Sequence, residues 1–417
     1  MPGAPLEWRG HEHARSQARP VALRAAEPDQ LPRLATVEAI HVRVPFRRPL
    51  LDATGEFTHR RSWLLRLVDV DGNEGLGEAA LNPVAADVTT ESLATLIRGA
   101  VPALAAGRAP AWAELAAEGE PGRAAMAGVD GAIGALRVAR KVVAAEAAGA
   151  RSAGPVASSA TIAVSAIVPF GGPSAGADAA AQAVELGFET LKLRAGFERT
   201  TDQLVDRLRA IRAAVGPEPR LRIDVSGAWD LETAVERIAA VEPFRIEFVE
   251  QPLAAWDSAG HAALRRRVRV PIALDESVDS EGSARAALAD GAADVLVVKP
   301  ARVGGRDATM RILHAASAAG ASLVLGTYYE TGVGIASALR IAAALRAAAP
   351  GARSAGAAFE EAGREPAHGL ATAGVLVHDL LAAPLPIDRG RMTMPAAIAL
   401  DRPEVDRYTL ERFEARR

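Results

Sequence analysis

From Thr161 to Leu325 the chain alternates short runs of β-branched and aliphatic residues with longer Ala-rich stretches. The runs are Thr161–Val164, Thr190–Leu193, Leu221–Asp224, Ile246–Glu250, Ile272–Asp275, Val295–Lys299 and Ser322–Leu325. Runs of this kind, separated by helices, mark parallel strands covered on both faces. Between them the pattern predicts helices over Asp178–Leu186, closed by Gly187, over Asp202–Val215, closed by Gly216-Pro217, and over Leu231–Val241. Upstream the character differs. Val37–Pro45 and Trp63–Val70 read as antiparallel strands, and Gly75-Leu76-Gly77-Glu78 opens another. Thr89–Ala148, rich in Ala, Leu, Arg and Glu, reads as several helices. An α+β unit therefore precedes a β/α unit.

Polar residues punctuate the second unit. Lys192 with Arg194, Asp224, Glu250, Asp275, Lys299 and Glu330 stand at or just beyond the ends of the apolar runs, about 24 to 32 residues apart. That interval is one strand, one helix and two loops. An open doubly wound sheet gathers its functional residues at one switch point, whereas here five successive strands each carry one at the C-terminal end. The pattern predicts an α/β fold closed into a barrel, with its chemistry on the C-terminal rim.

Composition narrows the partners. A chain of 417 residues, 49% hydrophobic, is long enough for two domains and a sizeable core. A net charge of −3, with 48 basic and 51 acidic residues interspersed, creates no field that would favour nucleic acid or an anionic membrane. The most apolar stretch, Gly334–Leu345, is interrupted by Arg340 and too short to span a bilayer. The absence of cysteine excludes disulfides, thiolate nucleophiles and zinc–thiolate sites, and suits the cytoplasm. Residues 1–35, with Arg9, Arg15, Arg19, Arg24 and Arg33 among Pro, Ala and Gln, read as a disordered extension.

Asp224, Glu250 and Asp275 lie on adjacent barrel strands, so their side chains can converge. Close together they repel one another, and a hard divalent cation, Mg²⁺ with Mn²⁺ as the alternative, removes that cost. Lys192 and Arg194, two apart on one strand, share a face, and Lys299 stands across the ring. A lysine beside a guanidinium and Mg²⁺ is pushed towards the neutral form that a base requires. This equipment suits abstraction of a proton next to a carboxylate in a small molecule, with the resulting enediolate held electrostatically. Thr327, Tyr328, Glu330 and Thr331 are predicted to wall the pocket. Gly75-x-Gly77 lacks the third glycine and the following helix of a dinucleotide fingerprint, and no Gly-x-Ser-x-Gly element occurs. Gly304-Gly305 reads as a tight βα loop, and His368 and His378 as structural or surface residues.

Together, Lys192-Leu193-Arg194, Asp224-Val225-Ser226-Gly227-Ala228-Trp229, Glu250-Gln251-Pro252-Leu253, Asp275-Glu276-Ser277 and Lys299-Pro300 with Gly304-Gly305 resemble the enolase superfamily in its muconate-lactonizing subgroup. Gly75-Leu76-Gly77-Glu78-Ala79 and Met126–Leu136 match that family's capping domain. Glu330-Thr331-Gly332-Val333-Gly334 and His368-Gly369-Leu370-Ala371-Thr372 look most like the o-succinylbenzoate synthases within it. The resemblance implies a capping domain over 36–153, completed by about 385–417, and a modified TIM barrel, (β/α)7β, over 154–384. It implies Asp224, Glu250 and Asp275 as Mg²⁺ ligands, and loops near Leu50–Thr58 and Leu81–Pro83 that close over the substrate. The family's usual Lys-x-Lys is departed from at Arg194, whose guanidinium holds its proton far more tightly than an ammonium. A two-base epimerisation is weakened most by this departure, and an elimination needing one base least. The expected activity is a dehydrating lyase, an o-succinylbenzoate synthase of menaquinone biosynthesis. The alternatives are a muconate-type cycloisomerase, an N-acylamino-acid or dipeptide epimerase, and a metal-binding barrel that has lost catalysis. Oligomeric state is left open.

Overall fold

The computed structural model describes residues 31–52, 55–83, 85–108, 111–147, 160–348 and 365–416. Residues 1–30 of the predicted extension lie outside them. Strands β1 (Leu34–Asp52), β2 (Gly55–Asp69) and β3 (Glu74–Ala80) form an antiparallel sheet, and β14 (Thr409–Arg416), from the end of the chain, adds to β1 to give the order β14-β1-β2-β3. The period of two decides which side chains face where. Val37, Ala39, Trp63, Leu65 and Leu67 pack against helices α1 (Asp87–Ala105) and α3 (Gly119–Ala147), with the short α2 (Trp112–Ala117) between them in sequence. Ile40, Val42, Val44 and Leu64 face the other way, into the core shared with the barrel.

Gly75 and Gly77 serve this packing. A Cβ at Gly77 would stand 2.1 Å from the carbonyl oxygen of Gly128 on α3, and one at Gly75 2.2 Å from that of Ala132. The two glycines let helix backbone lie directly on strand backbone. Gly77→Ala must push α3 off β3, and is expected to cost about 3 kcal/mol or more in a urea titration; a loss under about 1 kcal/mol would contradict the close approach.

The second unit is a parallel sheet of seven strands: β5 (Ala166–Val168), β6 (Thr190–Arg194), β7 (Arg220–Asp224), β8 (Ile246–Glu250), β9 (Ile272–Leu274), β10 (Val295–Val298) and β11 (Ser322–Leu325), paired in that order. The run at Thr161–Val164 is not its first strand, contrary to the sequence reading. Thr161–Ala163 (β4) pairs antiparallel with β13 (Arg391–Thr393) in a small sheet with β12 (Ile387–Asp388). The chain enters the barrel at Val164–Ser165, and three apolar residues, Ala166–Val168, suffice for the first strand because β6 supplies the register. Closure comes from Ala367–Gly369. His368 bridges Val164 in parallel, and Gly369 N–H donates to the Leu325 carbonyl at 2.7 Å. This segment stands where an eighth strand would, between β11 and the start of β5. The helix predicted from Asp178 begins earlier, at Pro173, because proline is tolerated in a first turn whose N–H groups have no helical partner. Among the described residues no helix is long and apolar enough to cross a membrane.

Candidate active site

Register delivers the predicted residues to one rim. Arg194 pairs with Asp224 across β6 and β7, and Asp224 with Glu250 across β7 and β8. Asp275 lies one residue past β9 and Lys299 one past β10. Lys192 Nζ donates to Glu250 Oε1 at 2.6 Å and lies 3.0 Å from Asp224 Oδ2. Arg194 Nη1 donates to Asp224 Oδ2 at 2.6 Å, and Lys299 Nζ donates to both carboxylate oxygens of Asp275. Three cations thus meet three buried carboxylates above an apolar barrel interior of Phe248, Ala273, Val295, Val297 and Val324.

The electrostatics are tightly matched. Burial opposes the charge of Lys192, but Asp224, Glu250 and Asp275 outweigh it and hold the ammonium above its usual range. Burial likewise opposes the charge of Asp224 and of Asp275. Arg194 and Lys192 overcome it at Asp224, and Lys299, Lys192 and Arg302 at Asp275, so both are held below the usual carboxylate range. Glu250 is the reluctant one. Burial and then the charges of Asp224 and Asp275 push it up to about 8 in spite of Lys192.

Several neighbours that sequence reasoning passed over fix this geometry. Gln251, fully buried with φ 41°, accepts the backbone N–H groups of Asp275 and Ser277 at 3.0 and 3.1 Å through Oε1, tying the end of β8 to that of β9. Arg302 donates to the carbonyls of Asp275 and Glu276 at 3.1 and 2.9 Å. Glu276, beside Asp275, has a buried Oε2 without a hydrogen-bond partner and is pushed up to about 7 by burial and by Asp275. Gln251 and Glu276 stood inside the family motifs. Their roles did not, because each depends on a contact across strands.

Around these groups lies a cavity of about 90 Å³, walled by Lys192, Arg194, Lys299, Thr327, Tyr328 and Tyr329 from the barrel and by Phe57, Asn82 and Pro83 from the cap. A larger cavity of about 380 Å³, on the far side of Phe57, Asn82 and Pro83, is walled by Arg43, His59 and Arg61 among others and holds no carboxylate cluster. The predicted metal ligands and cations line the smaller one.

Two predicted wall residues face elsewhere. Glu330 and Thr331 do not line the cavity but enter a buried network at the seam with the cap. Glu330 Oε2 accepts the Tyr328 N–H at 2.6 Å, and the Thr331 hydroxyl donates to Glu78 Oε2 on β3 at 2.6 Å. The chain turns back at Tyr329, whose φ of 59° is left-handed, and this carries Glu330 away from the mouth. Burial and then Glu78 push Glu330 up to about 7, against the pull of Arg60. A carboxyl raised by folding stabilises fully below its unfolded value, and that contribution is lost as pH rises through about 7. Glu330→Gln is therefore expected to be the more stable protein at pH 8.5, by roughly 2–3 kcal/mol, with the advantage gone at pH 5. Thermal melts of both proteins across that range test it, and parallel curves would refute the assignment.

The remaining signals have structural roles. His368, buried and held neutral with its value pushed down to about 3 by burial, accepts the Leu325 N–H at 3.0 Å, and His378 accepts that of Leu380 at 2.9 Å. Gly304 and Gly305, at φ 101° and 90°, turn the chain beneath α3, where Asp130 accepts the Arg306 N–H at 2.8 Å.

A curled parallel sheet bearing acids and lysines on its C-terminal rim, roofed by an α+β cap, defines an enzyme of the enolase superfamily. The chain belongs to the enolase C-terminal domain-like family, whose model matches residues 175–399. It is 42% identical over 188 residues to an o-succinylbenzoate synthase of Thermobifida fusca, covering 44% of this chain and 56% of that protein. It is 34% identical over 166 residues to an L-Ala-D/L-Glu epimerase of Clostridium acetobutylicum, covering 39% of this chain and 46% of that protein. The chain spans about half the length of the curated relatives it matches. A probable mandelate racemase from Alicyclobacillus acidocaldarius superposes with a TM-score of 0.71 at 26% identity, covering 92% of this chain and 99% of that one.

Proposed function

We propose that this chain is a divalent-metal-dependent lyase that removes the proton next to a substrate carboxylate and expels water, acting as an o-succinylbenzoate synthase in menaquinone biosynthesis. The observation that carries the reading is the disposition of the cations: Lys192 on Asp224 and Glu250, Lys299 on Asp275, and a guanidinium, Arg194, in the third place. Among the described residues no group of three acids or histidines is arranged to hold an ion as it stands, the ammoniums being paired with the carboxylates instead. The donor set nonetheless fits a hard cation. Three buried carboxylates supply oxygen only, and the upward push on Glu250 is the strain that a divalent charge would relieve. Asp224, Glu250 and Asp275 would hold Mg²⁺, or Mn²⁺ in its place. When bound, the ion supplies charge that stabilises the enediolate form of the substrate.

The chain's own residues do the rest. Lys299, held by one carboxylate where Lys192 is held by two, is the better-placed base: once its ammonium has released a proton to solvent, the neutral amine takes the α-proton. Lys192 and Arg194 remain charged and offset the negative charge that develops on the substrate. The electrons of the broken C–H bond form the new double bond as the β-hydroxyl leaves, and the proton carried by Lys299 converts it to water. Phe57, Tyr328 and Tyr329 exclude solvent from the mouth.

Epimerisation of an N-acylamino acid or dipeptide is the second reading. The observation favouring it is that Lys192 and Lys299, on β6 and just past β10, can flank a substrate from opposite sides, as a two-base exchange requires. Mg²⁺-dependent turnover of a panel of carboxylates in deuterium oxide tests both. Loss of water from a β-hydroxy cyclohexadiene carboxylate, whose product keeps no hydrogen at the deprotonated carbon, supports the lyase; deuterium uptake with inversion of a dipeptide supports the epimerase; the absence of both reactions would leave a barrel that binds metal without catalysis.

A further inference from the structure

We propose that Arg60, on β2 of the cap, is a positioning residue that locks both walls of the active-site mouth with one guanidinium. The proposal rests on the smaller cavity being the active site, as inferred above. Arg60 is fully buried, and its two terminal nitrogens diverge: Nη1 donates to the Tyr328 carbonyl at 2.9 Å and Nη2 to the Leu81 carbonyl at 2.7 Å. These carbonyls belong to the two segments that face each other across the mouth. Leu81 leads into Asn82 and Pro83, the cap's side of the cavity, while Tyr328 and Tyr329 form the barrel's side. A planar fork fits this task, since its donors point in fixed directions and a single group can span two acceptors.

What Arg60 holds then reaches the chemistry. The Tyr328 ring packs with Ala80 of β3 and with Ala301, and lies over the Lys299 ammonium, with Nζ 5.3 Å from the ring centre. The next residue, Tyr329, is held in its left-handed turn with its ring 6.0 Å from Phe46 and 6.2 Å from Phe57, the aromatic pair contributed by the cap. The anions around Arg60 complete the lock. Glu330 and Glu78 offset its charge, Glu330 takes the Tyr328 N–H, and Glu78 takes the Ser62 hydroxyl, the Thr331 hydroxyl and N–H, and the Gly334 N–H. Residue 328 is thus gripped at its carbonyl by the cap and at its N–H by its own strand end. The cap does more than cover the barrel: through Arg60 it sets where Tyr328 stands over Lys299.

Hydrogen exchange followed by mass spectrometry on the full chain tests this without any substrate. Arg60→Met is expected to speed exchange by about tenfold or more in peptides covering 79–86 and 326–332 together, while a peptide covering β8 keeps its protection. Faster exchange in only one of the two segments, in neither, or equally throughout the barrel would overturn the proposal, the last by reducing Arg60 to a general stabiliser. A second readout separates positioning from stability. In the turnover assay, kcat/KM is expected to fall about tenfold or more in Arg60→Met, and Arg60→Met is expected to add less than about twofold in a Tyr328→Leu background, because the group it positions is gone. Additive losses would sink the idea. Where Arg60→Met does not fold, Arg60→Lys, which keeps the charge but loses the fork, carries the same expectations. Exchange does not depend on turnover, so failure of the lyase reading leaves this arm intact, and failure of this arm leaves the lyase reading intact.

Discussion

Lys299→Met is expected to lower Mg²⁺-dependent turnover, followed as loss of water from the substrate, by about 10³-fold or more, the range that loss of a positioned proton carrier produces. Methionine keeps the apolar stem against Tyr328 and removes only the amine, so the change isolates the chemistry from the packing. Without metal the variant leaves Asp275 with Lys192 and Arg302 as neighbouring cations but without its hydrogen-bonded ammonium, and a buried carboxylate stripped of its partner is destabilising by about 3–5 kcal/mol. Added Mg²⁺ should recover most of that loss, because the cation replaces the charge. The activity should not recover. Variants at Lys299 and Lys192 that both kept turnover within tenfold of the parent would show that the roles are wrongly assigned.

The second large effect is at Glu250. Glu250→Gln should weaken Mg²⁺ binding by at least about a hundredfold, measured by titration calorimetry, since it removes one of three charged donors. Its effect on the metal-free protein should have the opposite sign. Burial and the neighbouring carboxylates push Glu250 up to about 8, so the metal-free fold favours the neutral acid at pH 7. The stability this contributes is present in full below the ordinary glutamate value and is lost as pH rises through about 8. The parent should therefore melt at progressively lower temperature from pH 5 to pH 9 without metal, and the glutamine variant should not share that part of the decline. Saturating Mg²⁺ should flatten the parent's curve, because binding stabilises only the folded state. An unchanged affinity for Mg²⁺ in Glu250→Gln would remove Glu250 from the ligand set.

Cap and barrel are joined by polar groups that an apolar interface would not need. Arg60, Glu78 and Glu330 are all buried at that seam, and each bonds backbone or hydroxyl groups across it or in the Tyr328 turn, while the buried Arg60 Nε has no hydrogen-bond partner. Buried charge is costly when its bonds are lost, so the bonds that are made favour one relative placement of cap and barrel over a family of them. A mouth built from both units requires such a placement.

Much of this was legible in the chain itself. The apolar runs at Leu221–Asp224 and Ile246–Glu250, each ending in an acid, announce a strand that delivers its last side chain to a rim, because strand direction and period are local properties. Spacing then determined that Lys192, Arg194, Asp224, Glu250, Asp275 and Lys299 would meet, since equal strand–helix units return the chain to the same edge. What the tertiary structure alone decided are the pairings between distant residues. Thr161–Ala163 reads as a barrel strand until Arg391–Thr393 is seen to claim it, Glu330 reads as a pocket wall until the left-handed turn at Tyr329 points it at the cap, and Arg60 reads as one arginine among many until Leu81 and Tyr328 are both within its reach. No local period encodes those contacts, because each depends on hydrogen-bonding groups that only the folded chain brings together.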